Sequence, residues 1–138
     1  QNDLESYAKK LNVSESVIFT GRRENVSSIL AQMDAFVMTS LYEGIPGSLM
    51  EAMSMEKPCV ASDIPPFREI ITSGIDGFIC SIDDTTEFIE KISLIYHNRD
   101  NIREFLGKNS RHKVKHKYNL HSRVKKTCQL YTNTLRTD

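Results

Sequence analysis

The sequence has no long apolar run. Its longest uninterrupted stretches are a few residues, such as Ala35–Met38, too short to cross a bilayer. It lacks an initiator methionine and a basic leader with an apolar stretch behind it, so a fragment of a longer polypeptide is the expectation for a chain opening at Gln1. It has no internal repeat and no low-complexity tract, which excludes solenoid, collagen-like and disordered classes. Cysteine is scarce. Cys59, Cys80 and Cys128 are odd in number, widely spaced and form no CxxC pair, so neither a disulfide framework nor thiolate metal ligation is expected. Buried free thiols in a reducing cytoplasm are the expectation.

What is present suits one globular domain over 1–138. The chain is 39% hydrophobic and 26% charged, long enough to bury a core without staples. Net charge is zero, with 18 Lys and Arg against 18 Asp and Glu, but the charge is unevenly placed. Arg103 to Lys126 holds nine basic residues and one acid, Glu104, so this segment carries +8 and the remainder −8. The segment reads as a solvated face or as a patch for anionic lipid headgroups. Aromatic residues do not interleave its charges as stacking on nucleic acid requires, so no nucleic-acid partner is expected. His97, His112, His116 and His121 have no carboxylate partner nearby in sequence and read as surface histidines, not as metal ligands.

Short apolar runs alternate with amphipathic segments. Val17–Gly21, Ala35–Ser40, Pro58–Ser62 and Gly77–Cys80 read as strands apolar on both faces, as buried parallel strands are. Asp3–Leu11, Asn25–Met33, Gly47–Met55 and the shorter Pro66–Thr72 read as helices between them. The last third reads as helical throughout. Thr86–His97 carries a stripe of Phe88, Ile89, Ile92, Ile95 and Tyr96. Asp100–Tyr118 spaces Ile102, Leu106, Ser110, Val114 and Tyr118 by four. Leu120–Leu135 repeats the helical spacing at Leu120, Val124, Cys128, Tyr131 and Leu135, at intervals of three and four. Asp83 and Asp84 precede the Thr86 helix as caps. The alternation predicts an α/β fold, a Rossmann-like parallel sheet with helices on both faces. Ligands of such sheets bind beyond the carboxyl ends of the strands, which directs attention to Gly21–Asn25, Leu41–Gly47, Asp63–Phe67 and Ser81–Thr85.

The stretch from Ser40 to Glu51 follows a strand and opens a helix. Gly44 and Gly47 allow close backbone approach, and Pro46 stiffens the turn. The first amides of the Gly47 helix lack intrahelical partners and present a positive dipole end, which suits a phosphate or diphosphate. Glu43 and Glu51 bracket that site. Carboxylates repel phosphate, so each suits sugar hydroxyls, and a nucleotide diphosphate-sugar carries sugars on both sides of its diphosphate. Leu49, Ala52 and Met53 supply the buried face of the helix, which turns Glu51 outward.

Glu43 and Glu51, seven residues apart, followed by Ala52-Met53 and by Lys57-Pro-Cys-Val-Ala-Ser62, resemble the E-x7-E region of the retaining GT-B glycosyltransferases of family 4, glycosyl transferases group 1. Phe19-Thr-Gly-Arg22 is similar to the family's F-x-G stretch. Ala35–Ser40 is similar to its D-x-F-V-x-P-S strand, with Thr39 where proline is common. Arg68-Glu-Ile-Ile71, with Gly74 and Gly77-Phe78, is similar to its P-E-I-I…G-x-x-G-F/L-L stretch. The resemblance spans nearly the whole chain. It implies that Glu43 contacts the transferred sugar near the reacting carbon and that Gly44, Ile45, Pro46 and Gly47 line that sugar. It further implies that Ser48 and Leu49 offer amides to the diphosphate and that Glu51 holds the ribose. Gly21, Arg22 and Arg23 would border the base. Asp63–Phe67 departs from the Gly-Gly pair of many relatives, so no close contact to the sugar is assigned to that loop.

The resemblance also implies that the N-terminal acceptor domain, and the first strand and helix of this domain, lie outside this chain, which alone is expected to be inactive. The expected function is donor binding in transfer of a hexose from a nucleotide diphosphate-sugar to an acceptor hydroxyl, in cell-surface polysaccharide or glycan synthesis, with no metal or cofactor. A nucleotide-sugar epimerase of the same fold and a non-catalytic nucleotide-sugar-binding module are the alternatives. The expected location is the cytoplasm, with peripheral contact at the inner face of the membrane left open for residues 103–126.

Overall fold

The structure is a computed structural model and describes residues 2–134; the side chains of residues 99, 100, 120, 122 and 123 are not described. Three short parallel strands form the sheet, β1 (Phe36–Met38), β2 (Cys59–Ser62) and β3 (Phe78–Cys80), in that order. Phe36 pairs with Cys59 and Met38 with Ala61; Val60 pairs with Phe78 and Ser62 with Cys80. β2 is central and buried along its whole length, which explains its unbroken Cys-Val-Ala run.

Strand alternation divides the core. Phe36, Met38, Cys59, Ala61 and Ile79 point to one face, where they meet Leu30 of α2 (Val26–Gln32), Leu49 and Met53 of α3 (Gly47–Ser54), and Phe67 and Ile70 of α4 (Pro65–Ile70). Val60, Phe78 and Cys80 point to the other face. They meet Ile95 of α5 (Thr85–His97) and Leu106 of α6 (Glu104–Lys117). Helices therefore cover both faces of a Rossmann-like sheet. A π-helical turn, Arg99–Arg103, joins α5 to α6, and α7 (Leu120–Thr134) follows α6. Among the described residues no helix is long and apolar enough to cross a membrane.

α6 is the brace of the fold. Val114 and Tyr118 reach the first face, while Leu106 reaches the second. Where α6 crosses the end of α3, Gly107 lies against the backbone of Glu56, and a Cβ there would collide with the Glu56 carbonyl. Ser110, fully buried, donates its hydroxyl to the carbonyls of Gly107 at 2.8 Å and Met53 at 3.3 Å. Lys113 Nζ donates to the Ile70 carbonyl at 2.9 Å and the Thr72 hydroxyl at 2.7 Å, and pairs with the buried Asp76 carboxylate. Asp76 in turn accepts the Thr72 N–H at 2.7 Å. The Tyr118 hydroxyl donates to the Glu69 carbonyl at 2.8 Å.

The structure corrects several expectations. Val17–Gly21 is not a strand. Among the described residues it pairs with no other strand, and Ile18 is 85% exposed, because apolar content alone cannot close a backbone ladder. In α1 (Asn2–Lys10) only Ala8 is buried; Leu4 and Tyr7, with Leu11 just beyond, are exposed. The α5 stripe buries Ile95, whereas Ile89 and Tyr96 stand open to solvent. Cys59 and Cys80 are buried, but Cys128 is exposed, along with Val124 and Tyr131 of the same α7 stripe. Leu135, and the side chains of Leu120 and Arg123, lie outside the described residues. Asp84 alone caps α5, accepting from Thr86 N and Glu87 N.

Candidate functional site

β1 ends at Met38, so Glu43 stands within the following loop rather than at a strand end. Its carboxylate is held in place by Ser40, whose hydroxyl donates to Glu43 Oε1 at 2.8 Å. Ser40 is fixed from the other side, because its carbonyl accepts the buried Ser62 hydroxyl of β2 at 2.6 Å. The sheet thus positions the carboxylate through two serines. Ser62 carried no sequence signal of this role, since its link to Ser40 joins residues 22 apart in the chain.

α3 begins with Pro46 at its N-cap, and no side chain caps it. Gly47 N–H donates to the Ile45 carbonyl at 2.8 Å, and the first helical bond runs from Met50 N–H to the Pro46 carbonyl. The donors that the helix start offers are therefore the amides of Ser48 and Leu49. Leu49 contributes only its backbone, because its side chain is completely buried in the core. The Ser48 hydroxyl turns toward Met38 Sδ at 3.7 Å. Glu51 lies on the exposed side of α3, opposite Leu49, Ala52 and Met53. Gly21, with φ +60°, and Arg22 and Arg23 form an exposed loop.

A cleft of about 360 Å³ opens beside the Gly44–Pro46 loop. Gly44, Ile45 and Pro46 line it together with Met50 of α3 and Pro66, Glu69 and Ile70 of α4. Lys117 and Tyr118 at the end of α6 and Lys126 of α7 close its other side. Gly21, Arg22, Arg23, Glu43, Gly47, Ser48, Leu49 and Glu51 do not line it. The structure thus brings three of the expected site residues to a cleft whose walls also include Glu69 and Ile70 of the Arg68–Ile71 stretch, and Lys117, Tyr118 and Lys126, which no motif marked.

The basic segment is partly neutralised in the fold. Arg103 pairs with Asp34 at 2.7 Å and Arg111 with Glu56 at 3.4 Å, while Lys108 pairs with Glu104 and Lys113 with Asp76. Lys115, Lys117, Lys125 and Lys126 have no ion pair among the described residues. The charge left to meet a partner is therefore gathered at the α6–α7 junction. All four histidines are exposed, and the His112 and His116 rings lie 4.3 Å apart between centroids with their planes tilted by 42°. Burial pushes the Cys59 thiol up to about 12 and the Cys80 thiol up to about 11, with the negative charges of Asp76 and Glu87 adding to the respective effects. Neither thiol is a nucleophile at neutral pH.

Residues 1–113 match the family model described as glycosyl transferases group 1. Over 131 residues the chain is 32% identical to the UDP-Gal:alpha-D-GlcNAc-diphosphoundecaprenol alpha-1,3-galactosyltransferase of Escherichia coli, covering 94% of this chain and 33% of that protein. It is 33% identical over 97 residues to the N,N'-diacetylbacillosaminyl-diphospho-undecaprenol alpha-1,3-N-acetylgalactosaminyltransferase of Campylobacter jejuni, covering 70% of this chain and 26% of that protein. The chain spans a third or less of the length of these relatives. The fold matches Anabaena HepE, solved in complex with UDP, at a TM-score of 0.91 and 19% identity, over 96% of this chain and 36% of that one. Parallel sheet, two-sided helical cover and matching sequence over most of the length agree, and the chain belongs to the glycosyl transferases group 1 family, with the fold of the C-terminal half of a GT-B enzyme.

Proposed function

We propose that this chain is the donor-binding domain of a retaining glycosyltransferase that moves a hexose from a nucleotide diphosphate-sugar to an acceptor hydroxyl in the assembly of a cell-surface glycan. The observation that carries this is the start of α3. Its N-cap supplies no side-chain partner, and Ser48 and Leu49 offer their amides between a Glu43 oriented by Ser40 and an outward-facing Glu51. The diphosphate takes the two amides and the dipole end, Glu51 the ribose hydroxyls, and Glu43 the transferred sugar. The backbone of Gly44–Gly47 borders that sugar, and Gly21–Arg23 border the base. Negative charge grows on the diphosphate as the sugar leaves. Preorganised helix amides stabilise that charge more in the transition state than before it, and this assignment calls for no metal.

The names of the Escherichia coli and Campylobacter jejuni relatives place their acceptors on a diphosphate-linked undecaprenol. A lipid-linked acceptor, held by a preceding domain of a longer polypeptide, is the corresponding reading here. It puts the work at the inner face of a membrane.

Thermal melting of the chain with UDP, GDP and their sugar conjugates tests the proposal. The expected result is a rise in Tm that grows with ligand excess for one nucleotide, and loss of that rise in Glu51→Ala at unchanged ligand-free Tm. No rise with any nucleotide diphosphate, or an equal rise in Glu51→Ala, overturns the assignment.

A further inference from the structure

We infer that the cleft between the Gly44–Pro46 loop, α4 and the α6–α7 junction binds an anionic amphiphile, with its phosphate at Lys117 and Lys126 and its hydrocarbon on Ile45, Met50 and Ile70. The chemistry follows from the walls. The floor is aliphatic, and Ile45 presents a large side chain that is 65% exposed. An aliphatic surface of this kind gains from covering by another apolar body. The cleft volume of about 360 Å³ lies in the range of small-molecule sites.

The charged side has the opposite need. Lys117 and Lys126 have no ion pair among the described residues, although four neighbouring basic residues of the same segment do. The Tyr118 hydroxyl donates to the Glu69 carbonyl, and Lys117 Nζ lies 5.3 Å from the centroid of the Tyr118 ring, which offers it no anionic partner. Glu69 is the one acid in the lining, so two ammonium groups face one carboxylate. A ligand that is apolar throughout leaves those ammonium groups unmatched, and a bare anion leaves the aliphatic floor wet. A phosphate on a hydrocarbon chain satisfies both.

The cleft shares Gly44, Ile45 and Pro46 with the candidate donor loop, so the amphiphile's hydrocarbon would lie against that loop, with its phosphate across the cleft at Lys117 and Lys126. Its identity as the acceptor, or as the acceptor's lipid, rests on the transferase reading; its binding does not.

Calorimetric titration of the chain with geranyl phosphate, inorganic phosphate and geraniol tests the inference, with UDP present throughout so that diphosphate binding at α3 is not what is measured. Geranyl phosphate is expected to bind at least about tenfold more tightly than either fragment of it. Lys117→Gln/Lys126→Gln is expected to weaken it by about tenfold or more while the Tm is kept, as loss of charged hydrogen bonds does. Equal affinity for inorganic phosphate and geranyl phosphate marks a plain anion site and overturns the inference. Equal affinity for geraniol, or unchanged binding by the double variant, overturns it too. Sedimentation with phosphatidylglycerol vesicles separates the two sources of such a group. Vesicle binding without binding of soluble geranyl phosphate means a charged surface contact and no amphiphile cleft. UDP binding is read in separate titrations, so failure of the donor assignment is distinguishable from failure of this one.

Discussion

The carbonyl of Glu56 rests against the Cα of Gly107, and this contact sets how closely α6 packs on α3. Glu56 follows α3 in the left-handed conformation, with φ 59°. Its N–H donates to the Met53 carbonyl and the Lys57 N–H to the Ala52 carbonyl, the pattern of a Schellman close, with glutamate where glycine is usual. That turn presents the Glu56 carbonyl to the one position of α6 without a side chain. Glu56 also holds Arg111 one turn along α6.

Gly107→Ala is therefore expected to destabilise the fold. Alanine favours a helix over glycine by under about 1 kcal/mol. The collision is with backbone, which relaxes poorly, and overpacking of this kind costs about 1–3 kcal/mol. A lower denaturant midpoint at unchanged slope is the expected measurement. A raised midpoint would mean that helix propensity dominates and that the α3–α6 contact is looser than the structure has it.

Lys113→Met is expected to be severe, because it strands the Asp76 carboxylate, 3% exposed, without its cation. Breaking one partner of a buried pair costs about 3–5 kcal/mol. Adding Asp76→Asn should recover part of the loss, since the amide oxygen still accepts the Thr72 N–H but carries no charge. Urea denaturation of the two variants checks the order; a double variant no more stable than Lys113→Met contradicts the charge explanation.

Thiol chemistry gives a direct reading of burial. With Ellman's reagent near pH 8, Cys128 is expected to react at once, and Cys59 and Cys80 only on unfolding. The pH dependence follows in sign. Both buried thiols ionise above the ordinary value of 9.0, near 12 and 11, so the folded state keeps protons that the unfolded chain releases. Their contribution to stability is complete below about pH 9 and is lost as pH rises through 11 to 12. Cys59→Ala should flatten that alkaline limb in denaturation measured at a series of pH values.

In the complete polypeptide that carries this domain, Glu43→Gln keeps shape and removes charge. If Glu43 stabilises positive charge growing on the sugar, kcat falls by roughly 10²-fold or more while the donor KM changes little. A raised KM at constant kcat would reduce Glu43 to uniform sugar binding. Ser40→Ala should lower kcat by a smaller factor, because it frees the Glu43 carboxylate from its 2.8 Å hydrogen bond without removing it.

Local pattern accounts for much of the architecture. Proline and glycine at 46 and 47 start α3 where they stand in the sequence, and Asp84 caps α5 as its position before Thr86 predicts. The four-residue spacing of Leu106, Ser110, Val114 and Tyr118 marks the inner side of α6, and all four are buried or half-buried. The helical spacing of Val124, Cys128 and Tyr131 in α7 leaves an exposed stripe. Periodicity says which residues share a face; it does not say that another element lies over that face.

From its sequence alone, this protein has its α/β alternation, its family and the bracketed helix start, because each is written in neighbouring residues whose backbone preferences and polarity act locally. Tertiary structure alone decides the rest. Among the described residues the extended run after Ser16 finds no ladder partner, Ser62 fixes Ser40 and through it Glu43, and Lys117 and Lys126 come to stand across from Ile45. These relations join segments tens of residues apart. They depend on how the sheet and α6 bring those segments together, and no local preference encodes that meeting.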